Sequence, residues 1–111
     1  MKLLSALKQK KRYLVFEVIA DKKLSVSEIE KSVFEALLSF LGELGVSQVA
    51  PMFLKEKFKN QKFILKVNNK YVKEVQAALA LIKTIKNNRV IIKSLLVTGT
   101  IKKANEIINR L

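Results

Sequence analysis

The sequence predicts an α+β fold of the ferredoxin-like kind, with a four-stranded antiparallel sheet, two helices on one face and an extra C-terminal helix. Three observations support this prediction. Four segments have the β-rich or alternating composition of strands. Three others repeat apolar residues every three or four positions, as amphipathic helices do. The order is β-α-β-β-α-β-α, and two right-handed split βαβ units join strands in that order into one sheet whose first and third strands are central.

The first strand and helix are predicted from a β-rich run and a capping signal. Residues 13–19 are rich in β-branched and aromatic side chains, which favours a strand. Ser25 and Ser27 are candidate N-caps, because each has a glutamate three residues later, the capping-box spacing. The helix that follows is expected to end near Leu44, with Gly45 as a left-handed stop.

A hairpin, a second helix, a last strand and a final helix are predicted to follow. Residues 52–58 and 62–67 alternate apolar residues with lysine around the polar turn 59–61, which indicates a hairpin. The second helix, capped by Asn68 or Asn69, is expected to run to about residue 85. A turn at 87–88 leads to a strand over 89–97, and the final helix begins near Thr100.

Length and composition indicate one domain with a real core. The chain has 111 residues, 50% of them apolar, so we expect a single domain over 1–111 in which residues 1–12 form a basic N-terminal arm. No run approaches the roughly 18 apolar residues of a membrane span. The cations at 8–12 also follow the first apolar stretch, residues 1–7, whereas the positive charges of a secretory signal precede its apolar region. We expect a cytoplasmic protein with no membrane partner.

Charge and missing residue types predict a binding protein. The formal net charge is +13, and residues 52–111 hold 14 Lys and Arg against 3 acidic residues. A small domain this basic is suited to a polyanion. The chain has no His and no Cys, which excludes most side-chain catalysts and nearly all zinc sites. No two acids are placed as general acid and base, so we expect no catalytic residue, cofactor or metal on the protein itself.

Two segments concentrate the cations that we expect to contact phosphate. The arm at 8–12 is dense in lysine, which favours phosphate contact over a merely solvated leader. Residues 98–103 place backbone N–H groups, hydroxyls and lysines at a helix start, which predicts either an anion site or an ordinary threonine cap. The predicted phosphate contacts, including four lysines of the hairpin, are Lys8, Lys10, Lys11, Arg12, Lys55, Lys57, Lys62, Lys66, Lys70, Thr100, Lys102 and Lys103.

Two apolar surfaces are predicted to meet other protein surfaces. The first strand is expected to bury Leu14 and its alternate neighbours, because the opposite register would bury Glu17. This register leaves Val15 on the outer sheet face, together with Ile64 and Ile91. This face could stack RNA bases, it could carry lysines that protect an exposed edge strand from aggregation, or it could lie under the terminal helix or another chain. The aromatic-rich RNP1 pattern is absent from the third strand, which favours the covered face.

The first helix is the second of these surfaces. Phe34 and Leu38 widen its apolar stripe beyond the roughly 100° that one sheet face needs. The helix is therefore either fully buried or part of a second interface, for a protein rather than RNA, because its glutamates repel phosphate.

Four segments together resemble one family, the small archaeal and eukaryotic protein subunit of ribonuclease P. They are LKQKKRYLVFEVIAD, ALLSFLGELGVSQVAPMFL, KFILKVNNKYVKEVQAALALI and VTGTIKKA. They cover most of the chain between Leu7 and Ala104, so the resemblance is global. It implies an RRM-like fold and a ribonucleoprotein that removes 5′ leaders from precursor tRNA.

The resemblance also implies the partners and the division of labour. A catalytic RNA using Mg²⁺ performs the chemistry, and this subunit supports it together with a larger barrel-shaped protein subunit. A homodimer or a heterotetramer is compatible with this expectation. The alternatives are a general RNA chaperone, a regulatory ferredoxin-like domain that binds a small anion between subunits and, as the weakest, a small phosphohydrolase.

Overall fold

A computed structural model of the chain describes residues 10–110. Its elements form one five-stranded sheet in the order β2-β3-β1-β5-β4, in which every neighbouring pair is antiparallel. The elements are β1 (Lys11–Ala20), α1 (Val26–Val49), β2 (Met52–Phe53), β3 (Lys62–Asn68), α2 (Val72–Ala80), β4 (Thr84–Ile85), β5 (Asn88–Thr98) and α3 (Ile101–Ile108), with short 3-10 turns at Lys55–Lys57 and Asn69–Tyr71.

The α+β class is confirmed, but the sheet has five strands where four were expected. The additional strand is β4, which pairs with the start of β5 through Thr84–Arg89 and Ile85–Asn88. Lys86 and Asn87 form the tight turn between them, with φ of 51° and 66°. Two successive residues at positive φ are typical of a type I′ hairpin. The second helix therefore ends at Ala80, before the predicted boundary near 85, although Ile82 and Ile85 stay in the core.

The predicted hairpin forms around a tight turn, but its first strand is short. Asn60 and Gln61 have φ of 56° and 58°, and Lys59 and Lys62 exchange backbone hydrogen bonds of 3.1 and 2.9 Å. Only Met52–Phe53 pairs as a strand with β3. The chain then turns away through the 3-10 turn, so the prediction of a strand over 52–58 is wrong beyond residue 53.

Helix α1 begins as predicted and ends later. Ser25 caps it, with its Oγ accepting from the Glu28 N–H at 3.2 Å and the Glu28 carboxylate accepting from the Ser25 N–H at 3.0 Å. Gly45 is not the stop: the helix kinks at Gly42, where φ is 73° and ψ is 174°, and continues to Val49. Ala50 then takes the left-handed conformation at φ 50°. The left-handed stop is therefore carried by an alanine, which sequence preference does not predict.

Two apolar layers lie on opposite faces of the sheet. The larger core joins the sheet to α1 and α2 and includes the stacked rings of Phe16, Phe53 and Phe63. The smaller core lies beneath α3, where Val15 and Ile64 pack against Ala104 and Ile108. The terminal helix therefore covers part of the outer sheet face, as one of the alternatives that the sequence left open proposed.

The register along β5 shifts at a bulge. Phe16 pairs with Ser94 and Val15 pairs with Leu96, so Leu95 is the extra residue. A bulge exchanges the face of every later side chain relative to simple alternation. It lets Leu95 and Leu96 both pack toward the smaller core.

Candidate nucleic-acid interface

Strand pairing gathers basic residues from three parts of the chain at one end of the sheet. The start of β1 lies beside the end of β3, because Lys11 pairs with Asn68. It also lies beside the end of β5, because Tyr13 pairs with Thr98, and α3 begins three residues after Thr98. Directly opposed Cα atoms in antiparallel strands are about 4.5–5.5 Å apart. Three segments distant in sequence therefore share this end.

We call this surface the basic end, and seven of the predicted cations belong to it. Four are exposed and three are half-buried, so all can reach solvent. Lys8 lies outside the described residues. The seven members of the basic end are Lys10, Lys11, Arg12, Lys66, Lys70, Lys102 and Lys103.

β1 begins two residues earlier than predicted and includes two of these cations. Lys11 and Arg12 pair with Asn68 and Val67, so they are part of the sheet and not of an N-terminal arm. The Lys10 carbonyl accepts a hydrogen bond of 2.9 Å from the Asn69 N–H. The backbone that carries these three cations is therefore fixed to the end of β3.

Arg12 lies against the turn that starts α3. A Cβ built on Gly99 would be 3.1 Å from Nη1 of Arg12. Such an approach is tighter than ordinary van der Waals contact, so glycine leaves the space in which the guanidinium rests. The guanidinium therefore lies beside the start of α3, where Lys102 and Lys103 are exposed.

Thr100 serves as a helix cap, which was one of its two predicted roles. Its Oγ1 accepts from the Lys103 N–H at 3.4 Å, and its own N–H donates to Oγ1 of Thr98 at 3.3 Å. The partial positive charge of a helix start still adds to the field of the basic end. Thr100 therefore positions the start of the helix that carries Lys102 and Lys103.

Lys66 is placed by an aromatic neighbour. Its Nζ lies 5.7 Å from the ring centroid of Tyr13, the residue it pairs with across the strands. An ammonium within about 6 Å of a ring face is attracted by the ring electrons. This contact orients Lys66 on the face that α3 covers only in part.

Lys62 occupies a different place from the one the sequence suggested. It lies at the opposite end of β3, is only 7% exposed, and its Nζ donates to the Arg110 carbonyl at 2.6 Å. Asn60 Nδ2 donates to the Ile108 carbonyl at 3.3 Å. These groups satisfy carbonyls at the end of α3, where a cation is also favoured by the helix dipole. Assigning Lys62 to phosphate is therefore corrected: it holds α3 on the sheet.

Lys55 and Lys57 lie outside the basic end, on the 3-10 turn that follows β2. Nζ of Lys55 forms an ion pair of 2.9 Å with Glu30 of α1, and Lys57 is half-buried. A carboxylate beside a lysine lowers the attraction for phosphate. These two cations are therefore secondary candidates for contact with a polyanion.

Of the predicted partner contacts, two are buried within the chain itself. Val15 and Ile64 are 0% exposed beneath α3, so they cannot touch another chain while the helix is in place. This corrects their assignment. Ile91 on the same sheet face is 63% exposed and Leu38 on α1 is 49% exposed, whereas Phe34 is half-buried against the larger core. Leu38 and Ile91 are the predicted contacts that remain accessible.

Sequence reasoning missed two features of this surface. It did not identify Asn60 as a partner of α3, although an Asn-Gln pair in a lysine-rich hairpin indicated a tight turn. It also missed the kinked end of α1, which brings Ser47 and Gln48 next to Lys11 and Lys70 around one cavity. No local signal places these segments together, because the cavity joins residues that are far apart in the sequence.

Glu28 lies in the first turn of α1, where it completes the capping box. The capping hydrogen bonds from Ser25, assisted by Lys86 at 3.9 Å, lower the pKa of Glu28 below its usual range.

Within residues 10–110 no group of three His, Cys, Asp or Glu side chains is placed to hold a metal ion. None of the helices in that same range is both long and apolar enough to cross a bilayer.

Fold and surface together define a small basic α+β domain suited to holding a polyanion at one end of its sheet. A family model described as the Rpp14/Pop5 family matches residues 12–109. Ribonuclease P protein component 2 of Thermococcus kodakarensis is 41% identical over 97 residues, which are 87% of this chain and 81% of that protein. The protein of the same name from Methanosarcina mazei is 37% identical over 105 residues, covering 95% and 89%.

A solved structure shares the fold. A chain in the cryo-EM structure of yeast ribonuclease MRP matches with a TM-score of 0.67 at 11% identity, over 84% of this chain and 76% of that one. The chain belongs to the Rpp14/Pop5 family. The resemblance read from the four sequence segments is thereby confirmed.

Proposed function

We propose that this protein is an RNA-binding subunit of ribonuclease P that supports the catalytic RNA in removing the 5′ leader from precursor tRNA. The observation that carries the proposal is the gathering of seven cations at one end of the sheet in a member of this family. Its relatives are named ribonuclease P protein component 2, which supports this choice of RNA. Assembly with the RNA would take place in the cytoplasm.

The basic end acts by replacing counterions on the RNA backbone. Each phosphate that a lysine or arginine neutralises releases condensed cations, which makes binding strongly dependent on salt. Strand pairing fixes the backbones of Lys11, Arg12 and Lys66, so their geometry is set before the RNA arrives. Such preorganisation avoids the entropy cost of ordering these backbone segments on binding.

The chemistry belongs to the RNA in this proposal. Mg²⁺ bound by the RNA supplies the Lewis acid and the activated water, while the protein's cations reduce repulsion between RNA segments. Cations of the protein can then replace part of the Mg²⁺ that the folded RNA needs. We therefore expect the protein to lower the Mg²⁺ requirement without cleaving RNA by itself.

A larger barrel-shaped protein subunit is the proposed protein partner, and a homodimer of this chain or a heterotetramer is the proposed assembly. Ile91 and its strand partner Ile19 are both exposed, and α1 exposes Phe40 and Leu44 besides Leu38. These two groups of exposed apolar side chains support such contacts, because apolar residues that are grouped on a surface mark interfaces whereas single ones do not. They lie on different layers of the molecule, on α1 and on the outer sheet face. One such surface could serve the partner and the other a second copy.

The salt dependence of RNA binding tests the proposal. Replacing Lys102 and Lys103 by alanine should weaken binding and flatten log Kd against log salt by up to about 0.9 per lost phosphate contact on a duplex. The matched control is the adjacent pair Lys22 and Lys23, which are exposed just beyond the opposite end of β1. Alanine at those two positions should leave the slope unchanged.

Two results would contradict the proposal. Equal slopes for the two double variants would mean that net charge, and not the basic end, drives binding. Similar affinity for many unrelated RNAs of equal length at fixed salt would favour a general RNA chaperone instead.

A further inference from the structure

A cavity of about 400 Å³ opens at the basic end, between the end of α1 and the 3-10 turn before α2. Sites that hold a small ligand typically measure about 300–1,000 Å³, so one nucleotide could fit. The cavity has a cationic wall and a wall formed by the end of a helix. Its lining residues are Lys11, Ser47, Gln48, Ala50, Asn68, Lys70 and Tyr71.

The cationic wall is built by two lysines from different elements. Lys11 lies in β1 opposite Asn68, and Lys70 follows Asn68 by two residues. The Asn68 side chain holds this arrangement, with Oδ1 accepting from the Lys70 N–H at 3.1 Å. Nδ2 of the same residue donates to the Gln48 carbonyl at 3.3 Å. Two ammonium groups on a fixed backbone suit one phosphate group.

The opposite wall has the reverse polarity. Helix α1 ends there, and the last carbonyls of a helix carry partial negative charge. The Ala50 N–H closes the helix by donating to the Val46 carbonyl at 2.9 Å. This wall disfavours a second phosphate and favours N–H donors, such as the amino and imino groups of a base. Tyr71 also lines the cavity, and its half-buried side chain packs against the larger core, so only the part that faces the cavity is open to a base.

We infer that this cavity binds a single unpaired nucleotide of the RNA, with its phosphate at Lys11 and Lys70 and its base toward Tyr71 and the end of α1. The inference rests on the proposed function. A paired nucleotide cannot use the site, because its N–H donors are bonded to the complementary base and its faces are stacked in the helix. A bulged or looped nucleotide presents both.

Two hairpin RNAs test the inference, one with a single bulged 2-aminopurine and one in which that residue is paired. The protein should bind the bulged RNA about fivefold or more tightly, which is the low end of what stacking one base on an aromatic side chain contributes. The fluorescence of the 2-aminopurine should change only in the bulged RNA. Ser47→Trp should abolish both effects, since Ser47 is exposed and lines the cavity.

The control is Ser39→Trp, the same change on the same helix. Ser39 is exposed and lines a groove with Phe40 and Leu81, which contains none of the seven cations. This variant should keep the bulge preference, and both variants should bind the paired RNA with the wild-type salt slope. Ser47→Trp removes no charge, so it separates the cavity from the basic end.

Each remaining outcome overturns the inference in a distinguishable way. Equal affinity for the two RNAs, or a preference that survives Ser47→Trp, removes the nucleotide site but leaves the proposed function standing. Adenosine 5′-monophosphate binding as tightly as the bulged RNA would assign the cavity to a free nucleotide instead. Failure to bind the two hairpins and the ribonuclease P RNA alike would refute the proposed function as well.

Discussion

Replacing Lys62 by methionine should destabilise α3 without affecting RNA binding. Methionine keeps most of the aliphatic chain but removes the ammonium that donates to the Arg110 carbonyl at 2.6 Å in a site only 7% exposed. A hydrogen bond to a charged group contributes about 1.5–3 kcal/mol, and part of this is offset because the buried ammonium no longer needs to be desolvated. We expect a net loss of about 1–2 kcal/mol in the free energy of unfolding.

Two assays measure this effect. Thermal unfolding should show a Tm lower by roughly 4–8 °C, since 1 kcal/mol shifts the Tm of a domain near 100 residues by about 4 °C or more. Hydrogen exchange should show faster exchange at Ala104 and Ile108, the buried residues of α3. The loss should be concentrated there because the ammonium bonds to the end of that helix.

Lys66→Met is the matched control on the same strand. Lys66 is half-buried with its Nζ 5.7 Å from the Tyr13 ring, so its loss should cost only about 0.5–1 kcal/mol. It should instead flatten the salt dependence of RNA binding, by up to about 0.9 for one phosphate. Unchanged stability and a flattened salt slope for Lys62→Met would refute the structural role and restore Lys62 as a phosphate contact.

Three further predictions follow from single residues. Gly42→Ala should cost about 1–3 kcal/mol of unfolding free energy in urea titrations, because φ of 73° with ψ of 174° is strained for alanine while a Cβ meets nothing within 4 Å; an unchanged midpoint would contradict the kink. Gly99→Ala should shift the Arg12 guanidinium by a few tenths of an ångström, because the new Cβ would lie 3.1 Å from Nη1, and should weaken RNA binding less than Arg12→Ala does at constant stability; an equal loss of affinity in the two variants would contradict this. Glu28→Gln should lower the Tm at neutral pH but not in acid, because the pKa of Glu28 is lowered in the folded state. The stabilisation by the carboxylate is therefore complete above the ordinary glutamate pKa of about 4.3 and is lost as pH falls through the lowered value. A difference in Tm that did not depend on pH would contradict this.

The sequence predicted those elements whose signals are local. The capping box at Ser25, the turn around Asn60 and the Thr100 cap all formed where expected, because each depends on residues within a few positions. The end of α1 did not, since Gly45 is helical and the non-helical glycine is Gly42. Helix propensity alone does not tell which of two glycines three residues apart is placed in a kink.

The strand order alone predicts that the cations of the basic end lie together, but it does not predict the different position of Lys62. Once the strand order is correct, the start of β1 and the end of β3 must meet, so Lys11 and Lys70 are neighbours. Lys62 looked equivalent to Lys66 in the alternating pattern, yet it lies at the opposite end of β3 under the end of α3. Its role depends on the position of the eight-residue helix α3 on the sheet. The spacing of residues within β3 does not predict that position.

Reconstituted cleavage of precursor tRNA measures whether this protein supports the catalytic RNA. Catalytic RNA, precursor tRNA and the barrel-shaped partner subunit would be combined over a range of Mg²⁺ concentrations, with and without this protein. We predict that cleavage at low Mg²⁺ requires this chain, and that the Lys102→Ala, Lys103→Ala variant needs more Mg²⁺ than the Lys22→Ala, Lys23→Ala control. If the protein bound the RNA but the Mg²⁺ dependence of cleavage was the same with and without it, it would not be a supporting subunit of ribonuclease P.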